Sequence, residues 1–224
     1  MAPQITAKPL KTARLQGISA NQIQQHYELY KRYVDTTNRI RTALNDADRE
    51  NANPNYSPYR ALKVEESYSW DAVKLHELYF WNLGGNGGAA TGRIRNLINR
   101  DFGSFNDWKT DFTAAGKSAR GWVVLAYDCD DKTLHNYLQD AHNLGVIWRA
   151  IPLLVLDVYE HAYFIDFGID RAKYLDAFFA NIDWEEINRR LGATPACPPP
   201  TTPLDEPPRP AVPASPSVTI YNKK

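Results

Sequence analysis

The chain has 224 residues with 26 Lys or Arg and 26 Asp or Glu, so its formal net charge is zero. This length supports one large domain or two small ones, and a neutral chain lacks the basic surface that nucleic acids or anionic lipids attract. There is no signal-peptide core and no apolar run long enough to cross a membrane. We therefore expect a cytoplasmic protein that binds neither nucleic acid nor a membrane. The two cysteines, Cys129 and Cys197, match no disulfide or metal-binding spacing, which suits a reducing compartment.

The first half of the chain predicts two helices. Residues 1–17 are polar and irregular and form an N-terminal extension. Apolar and aromatic residues then recur every three or four positions from Asn21 to Leu44, which predicts a long helix capped by Ser19 or Asn21. After a polar loop over residues 45–58, a second helix is expected from about Ser69 to Leu83.

The two helices each carry one histidine, His26 and His76, on an aromatic face. A lone histidine on such a face is more often a hydrogen-bonded core residue than a metal ligand. Two antiparallel helices would bring His26 and His76 together. The helical hairpin is predicted to cover residues 18–88 and to end in the glycine cluster of residues 84–88, which we interpret as a linker because it lacks a phosphate-binding sequence.

The second half mixes helices and strands and is predicted to form an α/β domain over residues 89–191. The predicted helices cover residues 92–100, 104–117, 172–182 and 184–191. The predicted strands cover residues 121–127, 134–139 and 151–157. Proline dominates residues 192–224, which predicts a disordered tail that packs on nothing.

The stretch from Ile151 to Phe164 organises the chain. It begins as an apolar strand and ends on Asp157, with His161 four residues later. A carboxylate at the end of a buried strand must be hydrogen-bonded, paired or bound to a metal. The Asp157–His161 pair alone is compatible with a hydrogen bond in the core, but His26 and His76 complete three imidazoles and one carboxylate, a set that suits a first-row transition metal. Of the other histidines, His135 is expected to be exposed.

Several motifs carry a resemblance to a known family. They are His26-Tyr27, His76 before Tyr79-Phe80-Trp81-Asn82, Phe102-Gly103-Ser104-Phe105, Gly121-Trp122, Asp157-Val158-Tyr159-Glu160-His161-Ala162-Tyr163 and Asn181-Ile182-Asp183-Trp184. With them, residues 17–191 resemble the iron/manganese superoxide dismutases. The resemblance implies an α+β fold, with a long N-terminal helical hairpin followed by an α/β domain that holds a three-stranded antiparallel sheet. It also implies the disproportionation of superoxide to oxygen and hydrogen peroxide, as the metal alternates between its trivalent and divalent states.

The resemblance also implies roles for individual residues. The metal ligands would be His26, His76, Asp157 and His161, with a solvent molecule as the fifth ligand. His142 would donate a hydrogen bond to that solvent, and a histidine in this role makes iron our first choice and manganese the second, at one ion per chain. An aromatic wall would be formed by Phe80, Trp81, Trp122 and Tyr159. Glu160 would reach a ligand histidine of a partner subunit, which implies a homodimer or tetramer.

The chain departs from the family pattern at the substrate gate. The usual second histidine, four residues after the first ligand, is absent, and Phe164 replaces the tyrosine with which it pairs across the dimer. The active-site tyrosine usually follows the first ligand by eight residues, whereas Tyr33 follows His26 by seven and Tyr30 by four. A residue seven positions on returns to nearly the same helical face, so we expect Tyr33 to fill the gate, with Tyr30 as the alternative. A non-catalytic subunit of the same fold is the alternative function.

Overall fold

A computed structural model describes residues 3–193 of the chain. The long helices are α1 (Ala20–Asn45) and α2 (Pro58–Trp81), and they pack against each other as the predicted hairpin. Helix α1 begins after Ser19, whose side chain accepts a hydrogen bond from the Gln22 amide at 3.0 Å. Ser19 is therefore the cap, as expected of a short hydroxyl residue before an apolar run.

The prediction that α2 begins near Ser69 is wrong, because the helix starts at Pro58. Ser57 caps it by accepting a hydrogen bond from the Arg60 amide at 3.3 Å. A proline is well tolerated at the first helical position, because its missing N–H would have no helical partner there. The additional turns carry Tyr68, which becomes important at the candidate site.

The described part of the N-terminal extension forms no helix or strand and lies along the hairpin. Ile5 exchanges two hydrogen bonds with the side chain of Asn38, at 2.9 and 2.8 Å. Further along, the Lys8 amide donates to the Tyr30 hydroxyl at 2.8 Å. The extension therefore covers one side of α1, where it hydrogen-bonds the Tyr30 hydroxyl.

The sheet contains β1 (Trp122–Asp128), β2 (Leu134–Gln139) and β3 (Ala150–Asp157), in the order β2-β1-β3 with antiparallel pairing. All three strands agree with the sequence prediction to within one residue. In the register of β1 with β3, Trp122 lies opposite Asp157. The end of β3 thus brings the candidate carboxylate beside a buried tryptophan of the central strand.

Helices surround the sheet and close the fold. They are α3 (Gly92–Phe102), α4 (Phe105–Ser118), α5 (Phe164–Phe167), α6 (Arg171–Ala180) and α7 (Trp184–Ala193), with a 3₁₀ turn at Glu160–Ala162. The 3₁₀ turn and α5 were not expected from the sequence. Both follow β3 directly, and the turn positions His161.

The glycine linker is packed rather than free. The Gly85 amide donates to the Asn181 carbonyl at 3.1 Å, and the Gly87 amide donates to the Ile182 carbonyl at 3.1 Å. A Cβ atom on Gly85 would lie only 2.4 Å from the Ile182 carbonyl oxygen. Glycine is needed there because two backbone segments meet at a distance that excludes any side chain.

The prediction of unbridged cysteines is wrong for Cys129, which is disulfide-bonded. Cys197 and most of the proline-rich tail lie outside the described residues, as does the prediction that the tail packs on nothing. No helix among residues 3–193 is long and apolar enough to span a membrane. The boundaries of the two predicted domains stay predictions.

Candidate metal centre

Four side chains from four elements converge in the interior. His26 comes from α1, His76 from α2, Asp157 from the end of β3 and His161 from the 3₁₀ turn. One potential ligand atom from each lies within 4.8 Å of all the others. The Asp157 Oδ2 atom is 3.0 Å from His26 Nε2, 3.1 Å from His161 Nε2 and 3.7 Å from His76 Nε2. The four sequence-predicted ligand residues are therefore brought together.

The protonation of His76 suits metal binding. Its Nδ1 atom lies 2.7 Å from the Ala72 carbonyl oxygen and must donate, because a carbonyl only accepts. The neutral ring then presents a lone pair on Nε2, and this buried atom has no hydrogen-bond partner among the described residues. Metal-binding histidines are commonly oriented in this way by a hydrogen bond from the other ring nitrogen. The unpartnered Nε2 atom fits a metal ion.

The Asp157 side chain is held as a carboxylate. Its Oδ1 atom accepts the Tyr159 amide at 2.9 Å, which leaves Oδ2 directed at the imidazoles. Burial opposes ionisation, but the attraction of His161 and hydrogen bonds from His161 and His26 outweigh it, so the pKa of Asp157 lies well below its usual range. The site therefore carries one negative ligand.

The buried histidines are neutral at pH 7. Burial lowers the pKa of His26, although its hydrogen bond with Asp157 acts in the opposite direction. Burial and the neighbouring His26 together lower the pKa of His76 well below its usual value of 6.5. Neutral imidazole is the form that binds metals. Three imidazoles and one carboxylate thus form a donor set that fits iron or manganese.

His142 lies beside this cluster and is almost fully buried, with 1% of its surface exposed. Trp122 Nε1 donates to His142 Nδ1 at 3.0 Å, and the Tyr33 hydroxyl lies 3.0 Å from His142 Nε2. Because the indole N–H can only donate, Nδ1 is the acceptor and the proton of the neutral ring sits on Nε2. Burial lowers the pKa of His142 to about 4, so the ring is a neutral donor at pH 7.

The two candidate gate tyrosines have different surroundings. Helix α1 is a regular α-helix throughout, and Tyr33 lies on the side that faces His142. The Tyr30 hydroxyl instead donates to Glu77 Oε1 at 3.0 Å and accepts the Lys8 amide. The hydroxyl that reaches His142 is therefore that of Tyr33.

Three of the four expected wall residues contact the cluster. Phe80 lies edge-on to His26 with ring centroids 5.0 Å apart, Trp122 lies edge-on to His76 at 5.0 Å, and Tyr159 stacks on His161 at 5.2 Å. The expectation for Trp81 is wrong, because its side chain is 36% exposed and stacks on none of the cluster residues. Trp81 follows His76 by five positions, which rotates it about 140° away on the helix, whereas Phe80 follows by four.

The remaining predicted residues lie at the periphery. Glu160 and Phe164 are exposed within this chain, as an interface contact would require. His135 is partly exposed in the sheet hairpin and is 2.7 Å from Asp131 Oδ2, away from the cluster.

Three further residues support the site and were missed from the sequence. The Gln22 side chain donates to the His161 carbonyl at 2.7 Å, and Tyr79 lies 5.0 Å from the His26 ring. Tyr68 packs on His142 with centroids 4.6 Å apart. Helical spacing carried a signal for the first two, since Gln22 precedes His26 by four residues and Tyr79 follows His76 by three. Tyr68 was missed because the start of α2 was placed too late.

The helical hairpin, the three-stranded sheet and the cluster between them define the class: this is the fold of the iron/manganese superoxide dismutases. The family model described as "Iron/manganese superoxide dismutases, C-terminal domain" matches residues 90–190. The chain is 43% identical to "Superoxide dismutase [Fe]" of Aquifex aeolicus over 187 residues, 81% of this chain and 88% of the relative. The chain belongs to the iron/manganese superoxide dismutase family.

Other relatives carry either metal in their names. "Superoxide dismutase [Fe]" of Cupriavidus metallidurans is 38% identical over 83% of this chain and 95% of its own length. "Superoxide dismutase [Mn] 1" of Halobacterium salinarum is 41% identical over 52% of this chain and 59% of its own length. The relatives therefore support iron or manganese without distinguishing them.

Proposed function

We propose that the cluster holds one iron or manganese ion and that the chain uses it to disproportionate superoxide to oxygen and hydrogen peroxide. The observation that carries the assignment is the convergence of three imidazoles on one buried carboxylate, with the His76 Nε2 atom left without a hydrogen-bond partner among the described residues. The ligands in this proposal are His26, His76, Asp157 and His161. Such a donor set has little purpose in a non-catalytic subunit, because burying it without a metal costs stability.

An iron or manganese ion held there would supply one-electron redox chemistry. The residues around it would manage protons and exclude water. In this proposal His142 would donate a hydrogen bond to the metal's solvent ligand through Nε2–H, which lies 3.0 Å from the Tyr33 hydroxyl, and Trp122 holds the ring in that orientation. Phe80 and Tyr159 close the sides of the cluster with aromatic rings. Peroxide formation consumes two protons, and in this proposal the hydrogen-bonded Tyr33–His142 pair supplies them.

Iron is our first choice of metal. It is supported by the presence of a histidine, His142, at the position expected to hydrogen-bond the metal's solvent ligand, and by the names of the relatives from Aquifex aeolicus and Cupriavidus metallidurans. Elemental analysis of protein purified from its source, together with a superoxide assay, tests both the metal and the activity. One equivalent of iron with activity is expected. Metal-loaded protein without activity would overturn the proposed function, and active manganese protein would overturn only the metal.

We also propose a homodimer or tetramer whose interface includes Glu160. The support is that Glu160 is exposed in the single chain although it adjoins the ligand His161. Analytical ultracentrifugation of Glu160→Ala should show a weaker assembly than the wild type, with Glu185→Ala as an exposed control on α7. Unchanged association in Glu160→Ala would remove this residue from the interface.

The cellular role proposed here is antioxidant protection in the cytoplasm. Cell fractionation followed by immunoblotting tests this location, and recovery of the protein outside the cytoplasmic fraction would overturn it.

A further inference from the structure

His161 is the least buried of the four candidate ligands. Its side chain is 28% exposed, whereas those of His26, His76 and Asp157 are inaccessible. It also belongs to the shortest element, the three-residue 3₁₀ turn Glu160–Ala162, while the other two histidines belong to long helices. A ligand on a turn is held less precisely than one on a helix unless surrounding residues fix the turn. The direction of the His161 ring therefore depends on the contacts of its backbone.

Gln22 on α1 provides such contacts through both atoms of its side-chain amide. The Nε2 group donates to the His161 carbonyl at 2.7 Å, and the Oε1 atom accepts the Ile165 amide at 3.0 Å. Because a carbonyl only accepts and a backbone amide only donates, these two partners fix the orientation of the glutamine amide. Among residues 3–193, neither backbone group has another hydrogen-bond partner. Gln22 is fully buried and thus joins α1 to both ends of the ligand turn.

Gln22 is the middle one of three contacts between α1 and the segment that follows β3. At the start of the helix, the Ser19 amide donates to Asp166 Oδ2 at 2.6 Å. One turn beyond Gln22, His26 Nε2 lies 3.0 Å from Asp157 Oδ2. The three residues of α1 are spaced by three and four positions and therefore share one face of the helix. This face holds the whole segment, and its middle contact acts directly on the backbone of the ligand turn.

We propose that Gln22 is a positioning residue for the metal: it fixes the backbone of the turn so that the His161 ring meets the ion together with the other three ligands. The inference rests on the proposed function. No hydrogen bond among the described residues joins Gln22 to a ligand side chain, so it acts through the His161 carbonyl. An apolar residue of similar size would leave that carbonyl and the Ile165 amide without their partner, and the turn would lose its attachment to α1.

The first test compares Gln22→Met with Gln24→Met in metal-free, full-length protein titrated with Mn²⁺ alone and, without oxygen, with Fe²⁺ alone. Methionine is close to glutamine in length but has no N–H donor and only a weak acceptor. Gln22→Met should raise the Kd of the ion by about ten- to hundredfold, as is typical for residues that orient a metal-binding histidine. Equal Kd values for the two variants would overturn the proposal.

Gln24→Met is the matched control. Gln24 is exposed on the same helix, and its side-chain amide donates to Glu28 Oε1 at 2.9 Å. The control therefore loses a hydrogen bond by the same substitution without affecting the ligand turn, and its Kd should match that of the wild type.

A double-mutant cycle shows whether Gln22 acts through His161. The His161→Ala variant lacks the ring that Gln22 positions, so adding Gln22→Met to it should change Kd no further. The His26→Ala variant keeps His161, and there Gln22→Met should still raise Kd. An equal effect of Gln22→Met in both backgrounds would overturn the role, because Gln22 would then act on the fold in general.

The electron paramagnetic resonance spectrum of bound Fe³⁺ provides a readout that lower stability alone does not change. Gln22→Met saturated with iron should give an altered spectrum, because the spectrum reports the arrangement of ligands, whereas Gln24→Met should reproduce the wild type. A wild-type spectrum in Gln22→Met would contradict the positioning role.

If Gln22→Met does not fold, Gln22→Asn replaces it. This side chain is one methylene shorter and cannot reach both backbone groups from the same place on α1, so its Kd should exceed that of Gln24→Met, and an equal Kd would overturn the role. A metal-loaded wild type without superoxide activity would overturn the proposed function and leave the Kd comparison standing, so the two failures are distinguishable.

Discussion

Replacing Asp157 by alanine removes the atom on which three imidazoles converge. Asp157 Oδ2 lies 3.0 Å from His26 Nε2 and 3.1 Å from His161 Nε2, and the residue is fully buried. Removing one partner of a buried pair costs about 3–5 kcal/mol, because the remaining polar groups lose their acceptor without regaining water. At about 2–4 °C per kcal/mol for a chain of this size, the melting temperature of the metal-free protein should fall by about 6–20 °C.

The same variant should bind its metal far more weakly. Changes to residues that only orient a ligand cost about 10–100-fold in affinity, so the loss of the charged ligand itself should cost at least about 100-fold. Elemental analysis after dialysis measures the metal content, and calorimetry of the metal-free protein measures the stability. Asp35→Ala is the control, since Asp35 is an exposed aspartate on α1. Full metal occupancy in Asp157→Ala would refute the ligand assignment, and an unchanged melting temperature would refute the energetic argument.

Two further variants test the surroundings of the site. His142→Ala should lower turnover and shift the redox potential while metal is retained, and an unchanged potential would contradict its proposed hydrogen bond. Burial lowers the pKa of His142 from 6.5 to about 4, so between these pH values the unfolded chain binds a proton that the folded chain does not. The free energy of unfolding therefore keeps its full value above pH 6.5 and falls as the pH decreases toward 4. In urea titrations, metal-free His142→Ala should lose less of this free energy over the same pH range. Gly85→Ala should cost about 1–3 kcal/mol, because its Cβ would meet the Ile182 carbonyl oxygen at 2.4 Å, whereas Gly192→Ala, which meets nothing within 4 Å, should leave the melting temperature nearly unchanged or slightly raised.

Local patterns were sufficient for most elements. The sequence placed α1 and the three strands to within one residue, because apolar periodicity and the turns between strands are local properties. The start of α2 was placed too late because the polar residues after Pro58 lack an apolar stripe. They are helical because Ser57 caps them and the second half of α2 is already packed against α1.

Among the residues of the candidate site, too, the sequence placed most correctly and one incorrectly. The motif from Asp157 to Tyr163 and the two upstream histidines identified the family and the four converging side chains from sequence alone. Trp81 was assigned to the wrong face of α2. It follows His76 by five residues rather than four, and the extra residue rotates its side chain away from His76.

By itself, the sequence determined the family, the α+β architecture and the set of three imidazoles and one carboxylate, since each depends on residue types at fixed spacings. Only the tertiary structure decided which nitrogen of His142 carries the proton, that Tyr33 rather than Tyr30 reaches it, and that Tyr68 packs against it. Those features depend on contacts between α1, α2 and the segment after β2. They arise where elements distant in the chain meet, and the spacing of residues within one element gives the face of a side chain but not its partner on another element.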